Sequence, residues 1–130
     1  MKILGIGVDI IENNRIKNSI KNHKFRDRIY SKNELELSAS SKNKIGYFSK
    51  RFAAKEAFAK ALGTGFRNNL NFKDIEVIND NKGKPYYNKT KKITKLVQKN
   101  FKIKNFNCFL SISDEKDYST AFTIIQSIWN

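Results

Sequence analysis

Residues 48–65 read F-S-K-R-F-A-A-K-E-A-F-A-K-A-L-G-T-G. At about 100° per residue, Phe48, Phe52, Ala59 and Leu62 fall on one stripe. Ala53, Ala54, Ala57 and Ala61 populate the other side. The pattern predicts a helix over 44–63, closed by Gly63-Thr64-Gly65, with glycine just past the last turn. A helix apolar on both sides packs on both sides. This one is therefore central to the fold or lies at a subunit contact. Glu56 sits at the border of the two faces, beside Phe52, where a plain core helix has no use for a carboxylate. Its bland account is an i,i+4 ion pair with Lys60.

Upstream, residues 2–11 (KILGIGVDII) are apolar and β-branched and fit a buried strand with Asp9 at its far end. Gly5 and Gly7 lack the third glycine and the following helix of a dinucleotide-binding fingerprint. A strand approached closely by another backbone explains them more simply. From 12 to about 24, Ile11, Ile16 and Ile20 with Arg15, Lys17 and Lys21 between them predict a basic helix. The positive run continues through Lys24, Arg26, Arg28 and Lys32, anchored by Phe25, Ile29 and Leu35. It is either a solvated face or a docking surface for an acidic partner. His23, the single histidine, lies inside it as a surface residue. The polar segment 38–43 (SASSKN) is a break before the long helix.

Downstream, residues 70–79 predict a strand carrying Phe72, Ile75 and Val77, followed by a turn at 80–83. Pro85 opens a short strand through Tyr86 and Tyr87. Ile93, Leu96, Val97 and Phe101 show helical spacing over 91–102. The last thirty residues read as a hairpin in which Phe106, Cys108, Leu110 and Ile112 alternate with mostly polar neighbours, with a turn at 114–117. Strand, helices, hairpin, helix and hairpin in that order imply an α+β fold, with helices on one face of a mainly antiparallel sheet. The length, 130 residues, fits a single domain over 1–130.

With 39% hydrophobic residues, ten Phe and five Tyr, the chain has enough apolar surface to fold without staples. The formal net charge of +14 draws in anions: nucleic acid, phosphorylated small molecules, acidic proteins or anionic lipid. The richness in Lys, Asn and Ile also matches the bias of an AT-rich coding sequence, an alternative source of the basic excess. One cysteine, Cys108, forms no internal disulfide and reads as a small buried apolar residue, so a reducing cytoplasmic compartment is expected. No apolar run reaches a membrane span, and charge at Asp9 comes too soon for a signal peptide.

Asp9 and Glu56 are the two carboxylates set beside apolar runs. Two carboxylates suit Mg²⁺, which keeps several waters and completes its shell with substrate phosphate oxygens. For Asp9 the bland alternative is capping of the helix that follows. One His and one Cys cannot build a zinc site.

Four segments taken together resemble the holo-(acyl-carrier-protein) synthases, the small bacterial 4'-phosphopantetheinyl transferases. They are residues 5–16 (GIGVDIIENNRI), 52–65 (FAAKEAFAKALGTG), 83–85 (GKP) and 110–115 (LSISDE). They occur in the family's order and cover essentially the whole chain. The resemblance implies the phosphopantetheinyl transferase fold and transfer of the 4'-phosphopantetheine arm of coenzyme A to a serine of apo acyl carrier protein. Adenosine 3',5'-bisphosphate is released, and the reaction belongs to fatty-acid biosynthesis. Asp9 and Glu56 then match the metal-binding carboxylates that hold Mg²⁺ against the CoA pyrophosphate. Lys60 matches the lysine that meets the same phosphates and shares the catalytic work with Glu56 and Asp9. Gly83, Lys84, Pro85, Ser111 and Ser113 match segments lining the CoA pocket. The family is a homotrimer with active sites between subunits, which gives the Ala-rich helix face and the final hairpin burial partners. Carrier proteins are acidic, so Arg15, Lys24 and Arg28 become the docking cations.

One position departs from the pattern. Many members have His where this chain has Asp114, so no histidine base is available there. The serine proton is then left to Glu56, to a metal-ordered water or to solvent. The rival from another class is a basic nucleic-acid-binding domain, supported by the charge and the aromatic content. Against it, the Phe residues fall on periodic core stripes. A broader-specificity transferase of peptide-synthetase carriers would be about twice this length.

Overall fold

The apolar N-terminal run forms β1 (Lys2–Glu12), and the last stretch forms the hairpin β4 (Phe106–Asp114) and β5 (Tyr118–Ser127). The computed structural model describes residues 1–67 and 69–128. β5 lies in the middle of a three-stranded antiparallel sheet of order β1-β5-β4. Asp9 faces Ala121, which faces Ile112, while the next row is Val8, Phe122 and Ser111. Because side chains alternate along a strand, these rows point to opposite faces of the sheet.

The long helix, α4 (Lys44–Leu62), covers the inner face. It starts where the Asn43 side chain accepts from the Gly46 amide at 3.0 Å and ends at Gly63, whose φ of +82° suits glycine. The helix lies unusually close to β1. A Cβ placed on Gly5 would sit 1.8 Å from the Ala61 carbonyl oxygen, and one on Gly7 would sit 1.8 Å from that of Ala57. Glycine on the strand and alanine on the helix are therefore two halves of one close approach, as the strand glycines alone led us to expect. The same fact corrects the expected subunit role of the Ala-rich face: Ala53, Ala54, Ala57 and Ala61 are buried within the chain.

The predicted helix over 12–24 is two short helices, α1 (Asn13–Ser19) and α2 (His23–Ile29). Asn22 breaks it, because its side chain accepts from the amides of Lys24 and Phe25 and so starts a new helix. A third helix, α3 (Lys32–Ser38), follows, with a capping box in which Ser31 and Glu34 satisfy each other's amides. The predicted strand over 70–79 is mostly irregular. Its first half turns through a 3₁₀ segment, Phe72–Asp74, where the Asn71 amide donates to the Asp74 carboxylate at 2.9 Å. Only Val77–Asn79 (β2) pairs, with β3 (Pro85–Tyr87). Asp80 organises the turn between them by accepting from the amides of Lys82 and Lys84, both at 2.9 Å. α5 (Lys91–Phe101) packs on through Ile93 and Val97, and Asn100 donates to the Leu62 carbonyl at the end of α4.

Two charged side chains, one from α3 and one from α4, are fully buried. Lys55 Nζ donates to Glu34 Oε1 at 2.7 Å, to the Ile75 carbonyl at 2.7 Å and to the Phe72 carbonyl at 3.1 Å. Glu34 also accepts from the amides of Ser31 and Val77. Both side chains are 0% exposed. Every donor of the ammonium thus has an acceptor, which is what keeps a buried charge tolerable.

The sheet's outer face is different. Ile6, Val8, Ile10, Phe109 and Phe122 are all more than 40% exposed there. By register they form one continuous apolar patch, with Ser111, Ser113 and Thr120 at one end.

Candidate active site

β1 carries Asp9 on its inner face, and α4 carries Glu56 and Lys60 one turn apart on the side that meets β1. The Lys60 ammonium crosses the gap, 3.2 Å from Asp9 Oδ1 and donating to the Val8 carbonyl at 2.9 Å. Lys60 thus forms its ion pair with Asp9, and the expected pair with Glu56 is not made. Asp9 does not cap the following helix either: the residue before α1 is Glu12, which makes no side-chain cap. Both bland accounts of these carboxylates fail on geometry.

Asp9 and Glu56 share one field. Burial pushes both carboxyl groups above the ordinary carboxylate range, and the charge of Asp9 raises Glu56 further. Lys60 and Arg15 oppose the rise at both groups. Arg15, assigned from the sequence to docking, thus also faces the carboxylates from α1. Two neighbouring carboxylates that resist ionisation together make a natural seat for a divalent cation, because a cation relieves both burial and mutual repulsion. The donor set fits Mg²⁺ with two protein ligands and the remainder from water and phosphate. Among the described residues no cluster of three or more His, Cys, Asp or Glu forms a closed metal cage.

The other predicted residues lie elsewhere on a single chain. Gly83 and Pro85 line a cleft of about 130 Å³ with Lys50, Arg51, Asn79, Ile112 and Asp114. Lys84 is exposed on the same turn. Sequence reasoning missed Arg51, which stacks 3.7 Å over the Tyr47 ring and donates to Asn79 Oδ1 at 2.7 Å. Arg51 is itself buried, and its Nε has no hydrogen-bond partner among the described residues. Arg51 points toward the β2–β3 turn, whereas Glu56 and Lys60 point toward β1. Ser111 and Ser113 stand on the outer sheet face, opposite the carboxylates. One chain therefore assembles Asp9, Glu56, Lys60 and Arg15, and leaves the cleft and the serines apart from them.

Lys24 and Arg28 lie one turn apart on α2, both exposed, and Arg15 is exposed on α1. His23 pairs with Asp27 on the surface at 2.9 Å. Cys108 is enclosed, with its thiol pushed up to about 12 by burial, as befits a packing residue.

Residues 5–123 match the family model of the 4'-phosphopantetheinyl transferase superfamily, and the chain belongs to that family. Its α+β architecture is the phosphopantetheinyl transferase fold. Among named relatives, the holo-(acyl-carrier-protein) synthase of Pelagibacter ubique is 63% identical over 126 residues, covering 97% of this chain and 98% of that one. The crystal structure of the holo-(acyl-carrier-protein) synthase of Neisseria meningitidis superposes with a TM-score of 0.87 at 37% identity, covering 96% and 99% of the two chains. That of Bacillus anthracis, solved in complex with CoA (3',5'-ADP), gives 0.81 at 36% identity, covering 98% and 100%.

Proposed function

We propose that this chain is a holo-(acyl-carrier-protein) synthase: it transfers the 4'-phosphopantetheine arm of coenzyme A to a serine of apo acyl carrier protein. The serine oxygen attacks the pyrophosphate phosphorus that bears the pantetheine arm, the bond to the bridging oxygen breaks, and adenosine 3',5'-bisphosphate leaves. The observation that carries this reading is the Asp9–Glu56–Lys60 constellation on a chain of this family. Asp9 and Glu56 hold Mg²⁺. When bound, the ion neutralises charge on the pyrophosphate, which phosphoryl transfer needs more than it needs covalent help. Lys60 adds an ammonium for the same phosphates.

The remaining parts are supplied by assembly. The outer sheet face, with Val8 54% and Phe122 42% exposed, is covered by further copies of the chain in a homotrimer. Such an interface brings Ser111 and Ser113 of one subunit toward a neighbour's site, which reconciles their position with a role in CoA binding. Gly83, Lys84, Pro85 and Arg51 complete the CoA pocket. Arg15, Lys24 and Arg28 dock the acidic carrier protein through complementary charge. The whole of 1–130 acts as one transferase domain, working in the cytoplasm in fatty-acid biosynthesis. Among the described residues no helix is long and apolar enough to cross a membrane.

The test is incubation with CoA, MgCl₂ and an apo carrier protein, followed by intact mass. The carrier gains one phosphopantetheine, and Arg15→Glu weakens carrier binding more than CoA binding. An unmodified carrier overturns the transferase reading, and equal losses of both ligands remove Arg15 from the docking surface.

A further inference from the structure

Lys60 stands one helical turn beyond Glu56, the spacing at which a Glu and a Lys ordinarily pair on a helix surface. It takes a different partner. Its ammonium reaches across to β1, where Asp9 Oδ1 at 3.2 Å and the Val8 carbonyl at 2.9 Å receive it. Glu56 accepts no hydrogen bond among the described residues. Of the two carboxylates, one is therefore occupied by a cation of the chain itself and the other is open. Lys60 is also the more exposed member of its pair, with a side chain 54% exposed against 15% for Asp9.

We propose that Lys60 is a placeholder: it holds Asp9 as counter-ion in the metal-free chain, and loading of the Asp9–Glu56 site with a divalent cation releases the ammonium to the incoming CoA phosphates. The proposal rests on the metal reading given above. A divalent ion and an ammonium would compete for the same carboxylate. Once the ion takes it, Lys60 loses its anion and remains a charged head on a flexible four-carbon stem. A phosphate is then its nearest compensation. The coupling is reciprocal, since a phosphate that captures Lys60 clears Asp9 for the metal by the same factor. Without Lys60, the metal-free site would hold two adjacent carboxylates opposed by Arg15 alone.

Mn²⁺ alone serves as the probe, titrated without CoA by calorimetry or electron paramagnetic resonance. Lys60→Met is expected to bind Mn²⁺ about five- to tenfold more tightly than wild type, the lower end of the usual range of such coupling. Arg15→Met, which also removes a nearby positive charge but no hydrogen bond to Asp9, gains less. Added CoA then tightens Mn²⁺ binding by a larger factor in wild type than in Lys60→Met, because the displaced contact is already gone in the variant. Mn²⁺ binding that is lost in Asp9→Asn but unchanged or weaker in Lys60→Met overturns the placeholder and leaves the metal site standing. Equal gains in Lys60→Met and Arg15→Met overturn it too, reducing the effect to bulk charge. Wild-type Mn²⁺ binding that does not depend on Asp9 overturns both the placeholder and the metal site.

Discussion

Gly7→Ala tests how α4 is held on β1. The added methyl would lie 1.8 Å from the Ala57 carbonyl oxygen and 2.8 Å from both the Ala57 carbonyl carbon and the Ala61 amide nitrogen. These are backbone atoms of a buried helix, so no side chain can swing aside. Relieving the overlap requires the strand and helix to separate by about 1 Å or more, enough to forfeit a large part of the dispersion energy across that seam. Ala57 and Ala61 line it, both 3% exposed or less. The cost belongs at or above the upper end of overpacking penalties, about 3 kcal/mol. For a chain of this length that lowers the melting temperature by roughly 10–15 °C. Asp9 lies two residues along the same strand, so transfer activity falls even well below the melting point. Circular dichroism melting with parallel transfer assays is the measurement. Gly63→Ala is the control, because nothing lies within 4 Å of its Cβ and only the left-handed φ is strained, at about 1 kcal/mol. A Gly7→Ala protein that melts within a few degrees of wild type would refute the close-approach account.

Three further outcomes are expected. Glu56→Gln should lower transfer about a hundredfold or more while melting no lower than wild type at pH 7. The folded pKa of Glu56 is raised, so the folded state binds the proton better and ionisation costs stability as pH rises through that raised value. The amide escapes this cost, and the two melting temperatures should converge toward pH 4; a variant that melts lower at pH 7 makes Glu56 structural. Lys55→Met should destabilise by about 3–5 kcal/mol by stranding Glu34, and pairing it with Glu34→Leu should recover much of the loss. If the double variant is no more stable than the single one in chemical denaturation, the two charges do not act as a pair. Phe122→Asp should reduce the particle mass in light scattering to that of one chain and abolish transfer with secondary structure intact. An unchanged mass moves the subunit contact elsewhere.

Much of the fold was legible because a few segments repeat one signal many times. α4 declares itself through apolar residues on two faces and a closing glycine, and β4 through apolar residues that alternate with mostly polar neighbours. Gly5 and Gly7 were interpretable as marks of close backbone approach, although only the structure shows that their partners are Ala57 and Ala61. The failures come from single side chains that redirect the backbone. Asn22 splits one expected helix by capping a second, and the Asn71–Asp74 turn replaces half of an expected strand. Ser31 and Glu34 carry the spacing of a capping box in plain view, yet their charged neighbours read as a solvated face. At the site, family motifs supplied Asp9, Glu56 and Lys60, and the apolar runs beside them singled out both carboxylates, which the structure brings into one field. Spacing paired Lys60 with Glu56, because a helix wheel contains no second strand. Arg51 escaped notice because its stacking on Tyr47 one turn away resembles an ordinary surface arginine until Asn79 is brought in from 28 residues downstream.

The buried Glu34–Lys55 pair also bears on how the chain folds. Its ligands come from 31–34, from α4, and from 72–77, three segments separated by loops and helices. Closure of α3 over α4 without the 72–77 segment, or of that segment without α3, encloses a charge short of partners, at a cost of several kcal/mol. Partly assembled forms are thereby penalised, and the three segments must close around Lys55 together. The charge next in sequence to Glu56 thus acts as a cooperativity device, binding the peripheral helices to the same unfolding transition as the sheet.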